Sequence, residues 1–195
     1  IAQGRGVLFH VDACIGGFLL PYFRRLGAPV PAFDLSVPGV TSVSMDLHKY
    51  GYAPKGASVI VYRDKQLRRH QLYACAGWTG YAVVNATVQS TKSGGPLAAA
   101  WALLHALGDD GYLELARRTL EATRTIVAGL REVAGLRVLG EPEMSLVAFT
   151  ADAGPIAVFA IADAMKARGW LVQPQLEGLG APASLHLTIS AGHLP

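Results

Sequence analysis

Hydrophobic and polar positions follow one regime up to about residue 110 and another beyond it. In the first, short apolar runs end in polar groups. Val7-Leu8-Phe9-His10-Val11-Asp12 closes on an imidazole and a carboxylate before Gly16-Gly17, the pattern of a buried strand opening into a functional turn. Val40-Thr41-Ser42-Val43-Ser44-Met45 and Ala57-Ser58-Val59-Ile60-Val61-Tyr62 are rich in β-branched residues and predict neighbouring strands of the same core sheet. A short helix is expected over 21–26, followed by a loop studded with Pro29, Pro31 and Pro38 that no helix tolerates.

From Pro96 the period becomes helical. Leu97, Trp101, Leu104, His105 and Gly108 recur at three- and four-residue spacing, and Pro96 suits a first helical turn. A second helix is expected over 110–133, with a stripe of Leu113, Ala116, Leu120, Ile126, Val127 and Leu130 and with Arg117, Arg118 and Arg124 on wet faces. Strand-like runs at 136–139 and 145–150, a helix over 156–168, and strands near 170–173 and 185–189 complete a β-β-α-β order unlike that of the first part. The expected division is therefore residues 1–110 and 111–195, without a flexible linker or an internal repeat.

Composition narrows the class. Hydrophobic residues make up 51% and charged residues 16%, which excludes a disordered chain and calls for a large core or subunit interface. A formal net charge of +3 gives no nucleic-acid-scale basic excess, so no nucleic-acid partner is expected. The apolar stretches at 96–107 and 155–165 fall short of the roughly 18–20 residues that span a bilayer. No transmembrane segment is expected. Cys14 and Cys75 make no disulfide framework, pointing to a reducing cytoplasm and to packed rather than reactive thiols.

Three clusters can carry chemistry. Alternation places His10 and Asp12 on one face at a strand end, where a carboxylate can hold a protonated ring nitrogen, help bind a metal, or cap the following helix. Lys49, one of five lysines, sits beside His48 at the exit of the second strand, where partial burial would lower its pKa and make it an imine-forming amine; otherwise it is a surface lysine lying on a tyrosine. Gln89-Ser90-Thr91-Lys92-Ser93-Gly94-Gly95 precedes a helix and offers hydroxyls and backbone N–H groups to a phosphate. Together these are the handles that pyridoxal phosphate requires. In a rival reading, His10, Asp12, Asp46 and His48 ligate a divalent metal, which leaves Lys49 and the glycine-rich turn idle.

The strings from His10 to Phe18 (HVDACIGGF), Val37 to Ser42 (VPGVTS) and Asp46 to Gly56 (DLHKYGYAPKG), with Ser93-Gly94-Gly95 and Gly108-Asp109-Asp110-Gly111-Tyr112, resemble the sphingosine-1-phosphate lyase branch of the group II pyridoxal-phosphate decarboxylase family. The resemblance implies an α/β, fold-type I enzyme: 1–110 would be the C-terminal part of a cofactor-binding large domain with a mostly parallel sheet, and 111–195 an interdomain helix and a small, incomplete α/β domain. It implies pyridoxal 5'-phosphate as cofactor, Lys49 in imine linkage to it, Asp12 on the pyridine nitrogen, Ala13 near a ring face, and His48 on the phosphate. Lys55 and Tyr52 join Lys49 as catalytic candidates. Ser90, Thr91, Gly94 and Gly95 would reach the phosphate of the partner's active site in a homodimer. Thr91-Lys92 stands where the branch usually has Ser-Arg, and Lys does not reproduce a bidentate arginine.

The expected activity is carbon–carbon lysis of a small amine or amino-acid-like substrate, phosphorylated in the lyase case, at Cα–Cβ of a 2-amino-3-hydroxy group. Amino-acid decarboxylation is the alternative, and a catalytically inactive structural or regulatory homologue is the alternative of another class. The missing initiator Met reads as a truncation mark, and 195 residues alone are expected neither to fold stably nor to bind cofactor tightly. His105 and His186 read as packed or capping histidines, Trp78 and Tyr81 as substrate-entrance or interface aromatics. Arg63, Lys65, Arg68 and Arg69 read as a solvated helix face, or as a patch for an anionic headgroup.

Overall fold

The computed structural model describes residues 1–87 and 91–194. They pack as two compact units, Ile1–Pro21 with Val30–Gly108 and Tyr22–Pro29 with Asp109–Pro195.

The first unit is built on strands β1 (Phe9–Asp12), β2 (Val40–Asp46) and β3 (Ser58–Tyr62), in that spatial order. β1 runs parallel to β2 and β3 antiparallel to it, so the three β-branched runs are neighbours in one sheet of mixed sense. Ala13, Val40 and Val43 are buried under Phe33, Leu35 and Val37 of the proline-rich loop. Helix α1 spans Gly16–Arg25, so the helix expected over 21–26 begins five residues earlier and carries Pro21 inside it. Gly16-Gly17 is thus a helix start rather than a free turn. The reason is contact: a Cβ on Gly17 would lie 2.9 Å from Met45 Cβ and 3.1 Å from Ala13 Cβ, so only glycine lets α1 approach the sheet here.

Three elements escaped the pattern. α2 (Lys65–Arg69) is a single short turn capped by Asp64, whose carboxylate accepts from Leu67 N–H at 2.8 Å. β4 (Tyr73–Cys75) and β5 (Val83–Asn85) form a separate antiparallel hairpin of three-residue strands, too short to show alternation. The basic group around α2 is smaller than expected: the Arg63 guanidinium donates to the carbonyls of Val40, Leu35 and Val37 and serves the loop, leaving Lys65, Arg68 and Arg69 on the exposed helix.

α3 (Gly94–Glu132) absorbs both expected helices, with a break at Gly108, which adopts φ 61° and ψ −173°. In the second unit its remainder packs on an antiparallel sheet of β6 (Leu136–Val138), β7 (Leu146–Ala151), β9 (Ser184–Thr188) and β8 (Gln173–Gln175), in that order, with α4 (Pro155–Lys166) beside it. Residues 170–172 are not a strand: β8 starts at Gln173, and Trp170 and Leu171 are exposed. Phe149, Val158 and Leu185 form one centre of the core; Ala122, Val147 and Ile189 form another. Leu185 is fully buried, so Leu185→Ala in the full-length protein is expected to cost roughly 2–5 kcal/mol, read as a lowered midpoint in denaturant unfolding. The Asp109-Asp110-Gly111-Tyr112 motif has a structural account in this unit. Asp109 takes both arms of Arg25 at 2.7 Å, Arg25 lies over the Tyr22 ring, and Tyr112 is buried.

Among the described residues no helix is long and apolar enough to cross a membrane.

Candidate active site

The site grows from the carboxyl ends of β1 and β2. Parallel pairing sets His10 opposite Ser42 and Asp12 opposite Ser44, all on one face. The His10 ring meets Ser42 Oγ at 2.8 Å and Ser44 Oγ at 3.2 Å. Asp12 Oδ1 accepts from the Cys14 backbone N–H at 3.0 Å and from the Ser44 hydroxyl at 3.1 Å. These donors, the Cys14 N–H first, hold the exposed Asp12 carboxyl below its ordinary range. Asp12 is thus a fixed anion.

Past Asp12 the ladder continues: Ala13 N–H donates to Ser44 carbonyl and Asp46 N–H to Cys14 carbonyl, each at 3.0 Å. Cys14 is thereby pinned beside Asp46. The Lys49 ammonium donates to Cys14 Sγ at 3.0 Å and to Asp46 Oδ2 at 3.1 Å. Cys14 touches both key groups, Asp12 through its N–H and Lys49 through its sulfur, so the acid and the amine are held in one cluster. Here the structure corrects the sequence reading of the lysine. The Cys14 sulfur and the Asp46 carboxylate outweigh desolvation and hold Lys49 above its ordinary pKa, where partial burial was expected to lower it.

Lys49 stands on a tight loop. Leu47 N–H donates to Ala57 carbonyl, Ala53 N–H to Leu47 carbonyl and Tyr52 N–H to Lys49 carbonyl, while Leu47, Ala53 and Ala57 bury themselves with Ala100. A Cβ on Gly51 would come within 2.5 Å of Leu47 carbonyl oxygen, so the turn requires glycine. Tyr52 follows at φ 58°, a left-handed conformation that costs a non-glycine residue about 1–2 kcal/mol and is retained where the surroundings enforce it.

His48 lies against the same carboxylate. Its Nδ1 meets Ala57 carbonyl oxygen at 3.0 Å and its Nε2 lies 3.6 Å from Asp46 Oδ2. Lys55 and Tyr52 are exposed on the loop. Ala13 is buried with Val40 and Val43, so it does not share the open face that carries Asp12. Thr91 is exposed, Gly94 and Gly95 open α3, and Gly95 N–H donates to Ser93 Oγ at 3.3 Å; Ser90 lies outside the described residues.

Among the described residues no three His, Cys, Asp or Glu are grouped to hold a metal ion. Asp46 and His48 of the metal reading are instead engaged by Lys49, Ser58 and Ala57. Three partners escaped the sequence reading. Cys14 reads from composition as a packed thiol, yet its position two residues after a strand-end aspartate is the spacing of an Asx turn. Ser42 and Ser44 share the period of two that picked out His10 and Asp12.

An α/β sheet that presents a carboxylate and a lysine amine at the ends of adjacent strands is the arrangement of the fold-type I pyridoxal-phosphate enzymes. The chain belongs to the pyridoxal-dependent decarboxylase family, whose conserved-domain model matches residues 1–152. It is 42% identical over 195 residues to the sphingosine-1-phosphate lyase of Arabidopsis thaliana, covering 100% of this chain and 35% of that protein. The sphingosine-1-phosphate lyase structure from Burkholderia pseudomallei superposes with a TM-score of 0.90 at 41% identity, over 100% of this chain and 43% of that one. L-aspartate decarboxylase of Thermococcus kodakarensis is 32% identical over 170 residues, 87% of this chain and 43% of that protein. The chain thus spans little more than a third of the length of the curated lyase.

Proposed function

We propose that this chain carries the lysine-bearing part of a pyridoxal-phosphate-dependent carbon–carbon lyase acting on a phosphorylated 2-amino-3-hydroxy substrate. The observation that carries the reading is the Asp12-Cys14-Lys49 cluster: a fixed anion and an amine joined through one residue at a sheet edge. The donor set fits the cofactor. Asp12, ionised and exposed, suits a protonated pyridine nitrogen and Lys49 suits its aldehyde; the family resemblance assigns His48 to its phosphate.

When bound, pyridoxal phosphate supplies a conjugated ring that accepts the electron pair of a bond broken at Cα. The residues of this chain do the rest. Asp12 keeps a negative charge against the ring nitrogen, so the proton there is retained. Lys49 Nζ would hold the cofactor's aldehyde carbon, and as an ammonium paired with Asp46 it would be the group that delivers a proton to Cα. Tyr52 and Lys55, exposed on the same loop, are the groups assigned to the substrate in this reading. In Cα–Cβ cleavage the substrate hydroxyl loses its proton, its C–O bond becomes a carbonyl, and the amine half gains a proton at Cα.

The working unit is a homodimer with shared sites. Leu97, Trp101 and Leu104 expose 70%, 64% and 38% of their surface along one stripe, directly after the Thr91 to Gly95 turn that would meet the partner's phosphate. The two free thiols, Cys14 and Cys75, fit a reducing, cytoplasmic setting. Residues 1–110 act as cofactor-domain sequence and 111–195 as the interdomain helix and small domain. Amino-acid decarboxylation is the second reading, favoured by the identity to the L-aspartate decarboxylase.

The full-length enzyme given a phosphorylated long-chain 2-amino-3-hydroxy amine is expected to release a long-chain aldehyde and a phosphorylated amine. Carbon dioxide from an amino acid, without aldehyde release, would transfer the assignment to the second reading.

A further inference from the structure

Among the described residues the Lys49 ammonium has two acceptors, of unequal kind. Cys14 Sγ at 3.0 Å is a thiol sulfur, a weak acceptor, whereas Asp46 Oδ2 at 3.1 Å is a charged carboxylate three residues back along the loop. Asp46 is not free to wander. Its Oδ1 accepts from the Ser58 hydroxyl at 2.6 Å, and Ser58 is its register partner across the β2–β3 ladder. Its backbone N–H donates to Cys14 carbonyl. Asp46 is therefore fixed at three points: its backbone by Cys14, one carboxylate oxygen by Ser58 of β3, and the other by Lys49 on the loop that it opens. Among the described residues, His48 Nε2, 3.6 Å away, is the other titratable group beside it.

We propose that Asp46, locked by Ser58, is a positioning residue for Lys49: it parks the released ammonium at one place and sets when that amine is free to attack. This rests on the reading that Lys49 carries the cofactor. A lysine displaced by substrate must wait as a cation near the cofactor and return once product leaves. An unanchored side chain with four rotatable bonds would sample many positions between those events. A carboxylate at 3.1 Å restricts them, but by stabilising the ammonium it delays the loss of the proton that attack requires. Asp46 thus exchanges some amine reactivity for placement. Ser58 enters through Asp46, since its hydroxyl keeps one carboxylate oxygen occupied and so turns the other towards Lys49.

The test follows attachment rather than turnover. Cofactor is stripped from the full-length protein, pyridoxal phosphate is added back across a pH series, and the lysine-linked adduct is trapped with borohydride and quantified on the Lys49 peptide by mass. In wild type the attachment rate rises with pH as the ammonium loses its proton. In Asp46→Asn the midpoint is expected to fall by about one pH unit, a roughly tenfold change in the neutral-amine fraction at a given pH below it, with a several-fold lower plateau. Ser58→Ala, which removes one hydroxyl, is expected to move the midpoint the same way by less, and Asp46→Glu to restore most of it. A purely structural Asp46 would lower the plateau and leave the midpoint in place. Coincident midpoints for wild type, Asp46→Asn and Ser58→Ala overturn the proposal while leaving the adduct on Lys49. An adduct on another lysine overturns the Lys49 reading as well.

Discussion

Lys49→Ala in the full-length protein is expected to abolish the borohydride-trapped cofactor adduct and the visible absorbance that accompanies it, and to lower turnover by about 10⁴-fold or more. The chain has five lysines, of which Lys49 has its amine against a carboxylate and a thiol at the strand ends where ligands of α/β sheets bind. Removing its cation also leaves Asp46 without its ion-pair partner, so a loss of folding would imitate a loss of chemistry. Lys49→Arg separates the two. A guanidinium keeps the charge beside Asp46 but does not form the linkage, so the arginine variant should fold as wild type and remain colourless. Lys55→Ala is the complementary control. Lys55 is exposed at the far end of the same loop, and its loss should lower turnover yet leave the adduct on Lys49 intact. A persistent adduct in Lys49→Ala would end the assignment.

Much of this was legible in the sequence, and what was not failed for identifiable reasons. The three strands of the first sheet and the helices after residue 94 are long enough for alternation or helical spacing to accumulate. β4 and β5, at three residues each, are not. The start of α1 was misplaced because Gly16-Gly17 signals a turn locally, while the close approach to Met45 that makes glycine obligatory is a tertiary fact. Within the site, Asp12, His48 and Lys49 stood out by residue type at strand ends. The partners that determine their states did not. Cys14 reaches Asp12 within a two-residue turn that its residue type did not advertise, while Ser44 reaches Asp12 and Ser58 reaches Asp46 across strand pairings that sequence order does not display. The expected depression of the Lys49 pKa failed for the same reason: burial was inferred from position, whereas the nearby carboxylate and sulfur could only be seen folded.

Asp12→Asn isolates the charge that the proposed chemistry depends on. Asp12 Oδ1 already accepts from Cys14 N–H and the Ser44 hydroxyl, and an asparagine placing its amide oxygen there keeps both bonds. The local turn therefore survives, and Cys14 stays beside Lys49. What disappears is the negative charge that would hold a proton on the cofactor's pyridine nitrogen. A neutral pyridine withdraws electrons far less than a pyridinium, so the barrier to breaking a bond at Cα rises. The expected loss in turnover is on the order of 10²- to 10³-fold, the scale of removing a preorganised electrostatic partner of a developing charge. The Lys49 adduct should still form, because attachment occurs at the aldehyde and not at the ring nitrogen. That pattern of retained linkage and lost turnover is the opposite of the Lys49→Ala result. Asp12→Ala, which also removes the acceptor for Cys14 and Ser44, should lose more than Asp12→Asn. An Asp12→Asn enzyme turning over within threefold of wild type would show that the carboxylate serves only the strand-end turn, as a cap.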